Sequence, residues 1–202
     1  MRLLLFAGAG GVGTTTAALA TAALAARTAK VLLVSAGAPV PPGGDLRVVP
    51  VDARRRFEER WPELAGVATT ELALPPGSAS LLTLLDARDH ALDGNWDAVL
   101  VDAPPVPELL ALGELAGSIE RIWPAYKRIV RRTAFGDAVG TLQTALDSVR
   151  ALLAGATVRL VVTPSAHGVA EARRLTTALT LHGYALDSVI ANRVLPAEAG
   201  DS

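Results

Sequence analysis

Five short apolar runs are spaced along the chain, and longer stretches with helical character lie between them. The runs are Leu3–Ala7, Val31–Ser35, Asp97–Asp102, Arg159–Thr163 and Ser188–Ala191. Each is too short for a buried helix and nearly continuous in its hydrophobicity, the pattern of strands covered on both faces of a sheet. Leu46–Val51 is a sixth, more polar run and reads as an edge strand. Helices are predicted over Thr15–Arg27, which is Ala/Leu-rich and free of Gly and Pro, and over Arg54–Leu64. Two more are predicted: Ser78–Leu92, after the turn signal Pro75-Pro76-Gly77, and Val169–His182, stopped by Gly183. Ala36–Asp45 is a Pro/Gly-rich loop. Strands alternating with helices predict an α/β chain: a three-layer sandwich around a mostly parallel sheet.

Residues 107–154 break this rhythm, since they are helical with no strand. Leu112, Leu115, Ile119, Ile122, Tyr126 and Ile129 fall on one helical stripe that Pro124 should kink, and Leu142, Leu146, Val149 and Leu153 fall on a second. The segment reads as a helical insertion in a single domain spanning residues 1–202. Its stripes either pack on the core or present a groove for a hydrophobic client.

The first strand runs into Gly8-Ala9-Gly10-Gly11-Val12-Gly13-Thr14-Thr15-Thr16. Strand, glycine loop and helix is the context of a phosphate-binding loop, in which backbone N–H groups at a helix N-terminus cradle an anion. The spacing Gly8…Gly13-x-Thr15 satisfies the phosphate-loop pattern, except that Thr14 stands at the lysine position. The candidate nucleotide-binding residues are therefore Gly8, Gly10, Gly11, Val12, Gly13, Thr14, Thr15 and Thr16. Asp102, closing an apolar strand, is a candidate Mg²⁺ residue together with the Thr15 hydroxyl. Two other readings stay open. Gly8-x-Gly10-x-x-Gly13 also fits a dinucleotide fingerprint, although the second strand ends Ser35-Ala36-Gly37 without the acid that would hold a ribose. A tight turn alone is the other.

Composition narrows the class. Half of the 202 residues are hydrophobic and the net charge is −1, so neither nucleic acid nor an anionic membrane is attracted by bulk charge. No stretch is long and apolar enough for a transmembrane helix, and Met1–Leu5 passes straight into the glycine loop rather than forming a leader. With no cysteine, disulfides and thiolate metal sites are excluded, and a cytoplasmic location is expected. His90, His167 and His182 lack metal-ligand spacing. The basic cluster Arg121, Lys127, Arg128, Arg131 and Arg132 reads as a solvated helix face, with docking to an acidic partner or membrane as its alternative. Arg54–Arg56 is followed by Glu58 and Glu59 and should be neutralised locally.

Asn95 through Pro105 (Asn-Trp-Asp-Ala-Val-Leu-Val-Asp-Ala-Pro-Pro) resembles the switch II strand of the ArsA-type ATPases, which include arsenical-pump ATPases, tail-anchored-protein targeting factors and paired actinobacterial anion-transporting ATPases. Gly8–Thr16 is similar to that family's G-K-G-G-V-G-K-T-T loop at every position but Ala9 and Thr14. Val162-Thr163-Pro164, Ala170-Glu171-Ala172 and Val189–Pro196 resemble its closing βαβ unit. The resemblance implies a P-loop NTPase-like fold, ATP or ADP with Mg²⁺ as ligand, an adenine contact at Asn192, and sites at a dimer interface. The departures from the pattern are as informative. Ala9 and Thr14 replace both loop lysines, Gly37 stands at the switch I aspartate, and Val106-Pro107 replaces the switch II Thr-Gly, whose glycine N–H proline cannot supply. The family's C-x-x-C staple is also missing. The expectation is a degenerate, non-hydrolysing subunit that pairs with a competent ArsA-like ATPase as a heterodimer, or with itself as a homodimer. The alternatives are a weakly active or partner-completed ATPase, a nucleotide-independent client-binding module, and a dinucleotide-binding protein.

Overall fold

The computed structural model describes residues 1–36, 45–62, 77–115, 117–118 and 134–194, with backbone only at residues 93 and 134–139. In chain order the elements are β1 (Arg2–Gly8), α1 (Thr14–Ala25), β2 (Val31–Ser35), β3 (Leu46–Pro50), α2 (Ala53–Arg60) and α3 (Ser78–Asp93). Then come β4 (Ala98–Asp102), α4 (106–115), α5 (Ala134–Ala154), β5 (Thr157–Val162), α6 (Ala166–Leu181) and β6 (Ala185–Ala191).

All six strands run parallel, in the order β3-β2-β4-β1-β5-β6. The continuous apolarity of β1 and β2 follows from their position. Inner strands bury both faces, so Leu5, Phe6, Ala7, Leu32 and Val34 are all fully buried. Residues alternate between two cores. Leu3, Leu5, Ala7, Val99 and Val101 face Leu82 and Leu85 of α3, Leu109 of α4, Leu146 and Val149 of α5, and Leu179 of α6. Leu4, Phe6, Leu33 and Leu100 face Ala18 and Ala22 of α1. The result is the three-layer α/β sandwich expected from the sequence, with the sheet wholly rather than mostly parallel.

β3 lies at an edge, as its polar pattern predicted. β5 and β6 begin earlier than expected, at Thr157 and Ala185 rather than Arg159 and Ser188. Among the added residues, Thr157 and Asp187 are polar, and Asp187 is tolerated because β6 is the other edge. There Asp187 accepts from Arg159 Nε at 2.5 Å and also pairs with Arg2, so polar strand residues satisfy one another across strands. The Arg-rich start of α2 is neutralised as expected, through Arg54–Glu58, Arg55–Glu59 and Arg56–Glu59 pairs. Arg56 additionally reaches the buried Asp86 of α3 at 2.9 Å.

The chain passes from β4 over β1 to β5 through α4 and α5. The second apolar stripe of the segment lies against the main core: Leu146, Val149 and Leu153 are buried there and Leu142 packs beside them. Of the first stripe, Leu112 is buried and Leu115 exposed. Ile119, Ile122, Tyr126, Ile129, Pro124 and the basic cluster from Arg121 to Arg132 lie outside the described residues, as do Gly37 and the chain beyond Val194.

The topology fixes where a ligand can enter. The chain leaves β1 towards β2 on the α1 face and leaves β4 towards β5 on the opposite face. β1 and β4 are neighbours, with Phe6 opposite Asp102. Connections diverging from adjacent parallel strands open a crevice at their carboxyl ends, the place where such sheets hold ligands.

Candidate functional site

The crevice is built on the glycine loop. At Gly8, the last residue of β1, a Cβ would stand 2.6 Å from Val12 Cγ2 and 2.7 Å from the Val161 carbonyl oxygen, so no side chain fits. At Gly13 (φ +87°) the backbone is left-handed, and a Cβ would meet Asn192 Nδ2 at 2.2 Å. Gly10 (φ +98°) and Gly11 (φ +65°) complete a reversal that delivers the chain into α1. Gly13 is the N-cap of α1 and no side chain caps the helix, so amides of its first turn remain free to bind an anion.

Asp102 organises the opposite wall. Its Oδ2 accepts hydrogen bonds from Thr15 Oγ1 at 2.7 Å and from the buried Ser35 hydroxyl at 2.8 Å. One carboxylate oxygen thereby ties the ends of β4 and β2 to the first turn of α1. A third wall comes from Ala103, Pro104 and Pro105, which lead into α4. A fourth comes from the start of α3, whose N-cap Gly77 also offers no side-chain cap, and which presents Ala79, Ser80 and Thr83. Ser80 is held by Glu108 of α4 at 2.8 Å.

Together these elements enclose a cleft of about 560 Å³, within the roughly 300–1,000 Å³ range of small-ligand sites. Of the predicted residues, Gly10, Gly11, Gly13, Thr14, Thr15, Thr16 and Asp102 line it. Gly8, Val12 and Asn192 stand behind the loop instead. Asn192 Nδ2 donates to the Val12 carbonyl at 2.9 Å, so the amide assigned by resemblance to adenine here braces the loop. Pro107 lies in the first turn of α4, where Glu108 and Leu109 donate to the Pro105 carbonyl at 2.9 and 3.0 Å. Lacking an N–H, Pro107 adds no donor to that turn.

A phosphorylated ligand fits this set. The loop and the first turn of α1 offer amides, and the adjacent Thr15 hydroxyl and Asp102 carboxylate are the hard oxygen donors that suit Mg²⁺. The lining contains one carboxylate and one cation among the described residues, Asp102 and Arg193, and no lysine. Lys30 sits at the amino end of β2, where its backbone pairs with Asp97, across the sheet from the loop. Lys127 lies outside the described residues.

Sequence reasoning missed Ser35, Ser80, Thr83 and Arg193. Ser35 was legible in principle, as the last residue of a strand destined to neighbour β4. Ser80 and Thr83 enter the cleft only because α3 begins there. Arg193 is in the left-handed region (φ +61°), and its guanidinium donates to the Gly11 carbonyl at 2.7 Å. Nothing local in the sequence marks that conformation.

No established family profile matches the chain. A Streptomyces coelicolor protein is 30% identical over 97% of this chain and 63% of its own length, and a Mycobacterium tuberculosis protein is 28% identical over 96% and 59%. The Aquifex aeolicus protein named "Putative arsenical pump-driving ATPase 1" is 24% identical over 98% of this chain and 64% of its own length. The chain thus spans about 60% of the relatives it matches. The aligned stretches exceed its 202 residues, so the relatives carry additional residues inside the matched region. These similarities support placement in an ArsA-like P-loop group, and among the described residues no helix is long and apolar enough to cross a membrane.

Proposed function

We propose that the chain is a degenerate ArsA-like P-loop protein that binds ATP or ADP with Mg²⁺ weakly, does not hydrolyse it, and acts as a structural or regulatory partner of a competent ArsA-like ATPase. The observation that carries this reading is the cleft itself: a left-handed glycine loop, an uncapped helix N-terminus and a Thr15–Asp102 pair, with no lysine in the described lining.

Binding and hydrolysis respond differently to the missing groups. Losing one charge-assisted phosphate contact costs roughly 1.5–3 kcal/mol, which leaves a measurable affinity. A positive group poised on a transferring phosphoryl is worth about 10³–10⁵ in rate. The chain also has Gly37 at the switch I acid position and Pro107 at a switch II donor position. Thr15 and Asp102 would hold Mg²⁺, which supplies charge neutralisation for the bound phosphates. The loop and α1 amides would orient those phosphates. The switch I acid that would activate water is replaced by Gly37.

Pairing rests on the ArsA-like similarity, since the resemblance puts that group's sites at a dimer interface. Titration calorimetry with ADP and ATP, with and without Mg²⁺, tests the binding part. Weak, Mg²⁺-enhanced binding is expected, and no binding at millimolar nucleotide would refute it. Mixing with an ArsA-like ATPase from the same cell tests pairing. A stable complex or an altered ATPase rate is expected, and neither would be seen if the two do not associate.

A further inference from the structure

We propose that Arg193 is the phosphate-binding cation of this cleft, supplied from the end of the sheet in place of the lysines the loop lacks. The inference rests on the nucleotide-binding reading above and names the residue on which that binding depends.

Three observations converge on Arg193. It is the single basic side chain in the lining among the described residues, and it borders the cleft beside Gly10, Gly11 and Gly13. Its guanidinium is anchored on the loop through one nitrogen, to the Gly11 carbonyl at 2.7 Å. Of its five N–H donors, that bond occupies one. No carboxylate pairs with it among the described residues, whereas Arg2, Arg54, Arg55, Arg56, Arg60, Arg88, Arg159 and Arg174 all do. Finally, its backbone sits at φ +61°, a conformation that costs a non-glycine residue energy and that persists where the surroundings enforce it.

The enforcement is visible. Asn192, its neighbour, is fixed by two bonds: its amide N–H donates to the Val162 carbonyl at 2.8 Å and its side chain to the Val12 carbonyl at 2.9 Å. The end of β6 is thereby locked to both the sheet and the loop, and the turn after it swings Arg193 to the loop. A guanidinium so held presents a planar fork suited to two phosphate oxygens. It lies on the cleft rim with the N-termini of α1 and α3, whose amides favour the same charge. Asp102 is the opposing charge, and it is already engaged by Thr15 and Ser35.

The test measures binding of Mg-ADP, tripolyphosphate and adenosine to the wild-type chain and to Arg193→Ala, Arg193→Gln and Arg193→Lys, each checked by thermal melting. Arg193→Ala and Arg193→Gln should weaken Mg-ADP and tripolyphosphate binding about tenfold or more and leave adenosine unchanged. Arg193→Lys should recover part of the loss, and the salt dependence of ADP binding should flatten in Arg193→Ala. Any one of three results overturns the proposal: Arg193→Gln, folded as judged by melting, binding Mg-ADP like wild type or tighter; equal losses for adenosine and ADP, which would make Arg193 a structural brace only; or no binding by wild type, which would remove the nucleotide-binding reading as well.

Discussion

Replacing Gly13 by alanine tests whether the loop is held in its left-handed shape by Asn192. Ala at φ +87° costs about 1–2 kcal/mol from the backbone alone. Its Cβ would also stand 2.2 Å from Asn192 Nδ2, so Asn192 must move and release its 2.9 Å bond to Val12. A net hydrogen bond is worth about 1 kcal/mol, and repacking adds a comparable amount. The total is roughly 3–4 kcal/mol, or about 6–16 °C in Tm for a chain of this size. Thermal melts should be run on wild type, Gly13→Ala, Asn192→Ala and the double variant. In the Asn192→Ala background the clash is gone, and Gly13→Ala should cost only the backbone part. A coupling of at least about 1 kcal/mol is therefore expected. Equal costs in the two backgrounds would falsify the brace.

Two further predictions follow from other parts of the molecule. The hydrogen bond from Arg159, joined by charge from Arg159 and Arg2, holds the Asp187 carboxyl below the usual carboxylate range despite partial burial. A lowered folded-state value gives stability that is complete above the unfolded value of about 3.9 and is lost as pH falls through the folded one. Urea melts should show Asp187→Asn destabilised at pH 7 and the gap to wild type closing below about pH 4; a gap independent of pH would contradict this. Thr15→Val removes one of the two hydroxyls on Asp102 and a hard oxygen donor for Mg²⁺. Calorimetry should find that ADP binding loses its Mg²⁺ enhancement while metal-free binding persists; a retained enhancement would place the metal elsewhere.

Much of the architecture could be read from the chain because the signals were strong and local. Leu3–Ala7, Val31–Ser35 and Asp97–Asp102 are inner strands, where burial on both faces forces apolar side chains at all but the terminal positions. Edge strands were harder to delimit. β6 carries Asp187 and Ser188 because its outer side needs no apolar cover, and the Arg159 bond that keeps Asp187 in the strand is made across the sheet. The glycine loop and Asp102 were legible from spacing, and the structure brings them together at the ends of β1 and β4. Ser35 on Asp102 and Asn192 beneath the loop depend on strand order, since Ser35 reaches Asp102 only when β2 lies beside β4, and Asn192 reaches Val12 only when β6 takes its place beyond β5. Arg193 was hidden for a different reason: a positive φ in a charged residue has no sequence signature, and it is imposed by the bonds that fix Asn192.

In the proposed function, a cleft shaped for a nucleotide survives while the chemistry of cleaving it does not. The most direct measurement follows bound nucleotide and released phosphate together, on the purified chain with Mg-ATP. ATP should be recovered intact from the bound fraction, with no phosphate above the spontaneous rate. Turnover faster than about one per minute, against a typical enzyme value near 10 per second, and abolished by Asp102→Ala, would contradict it.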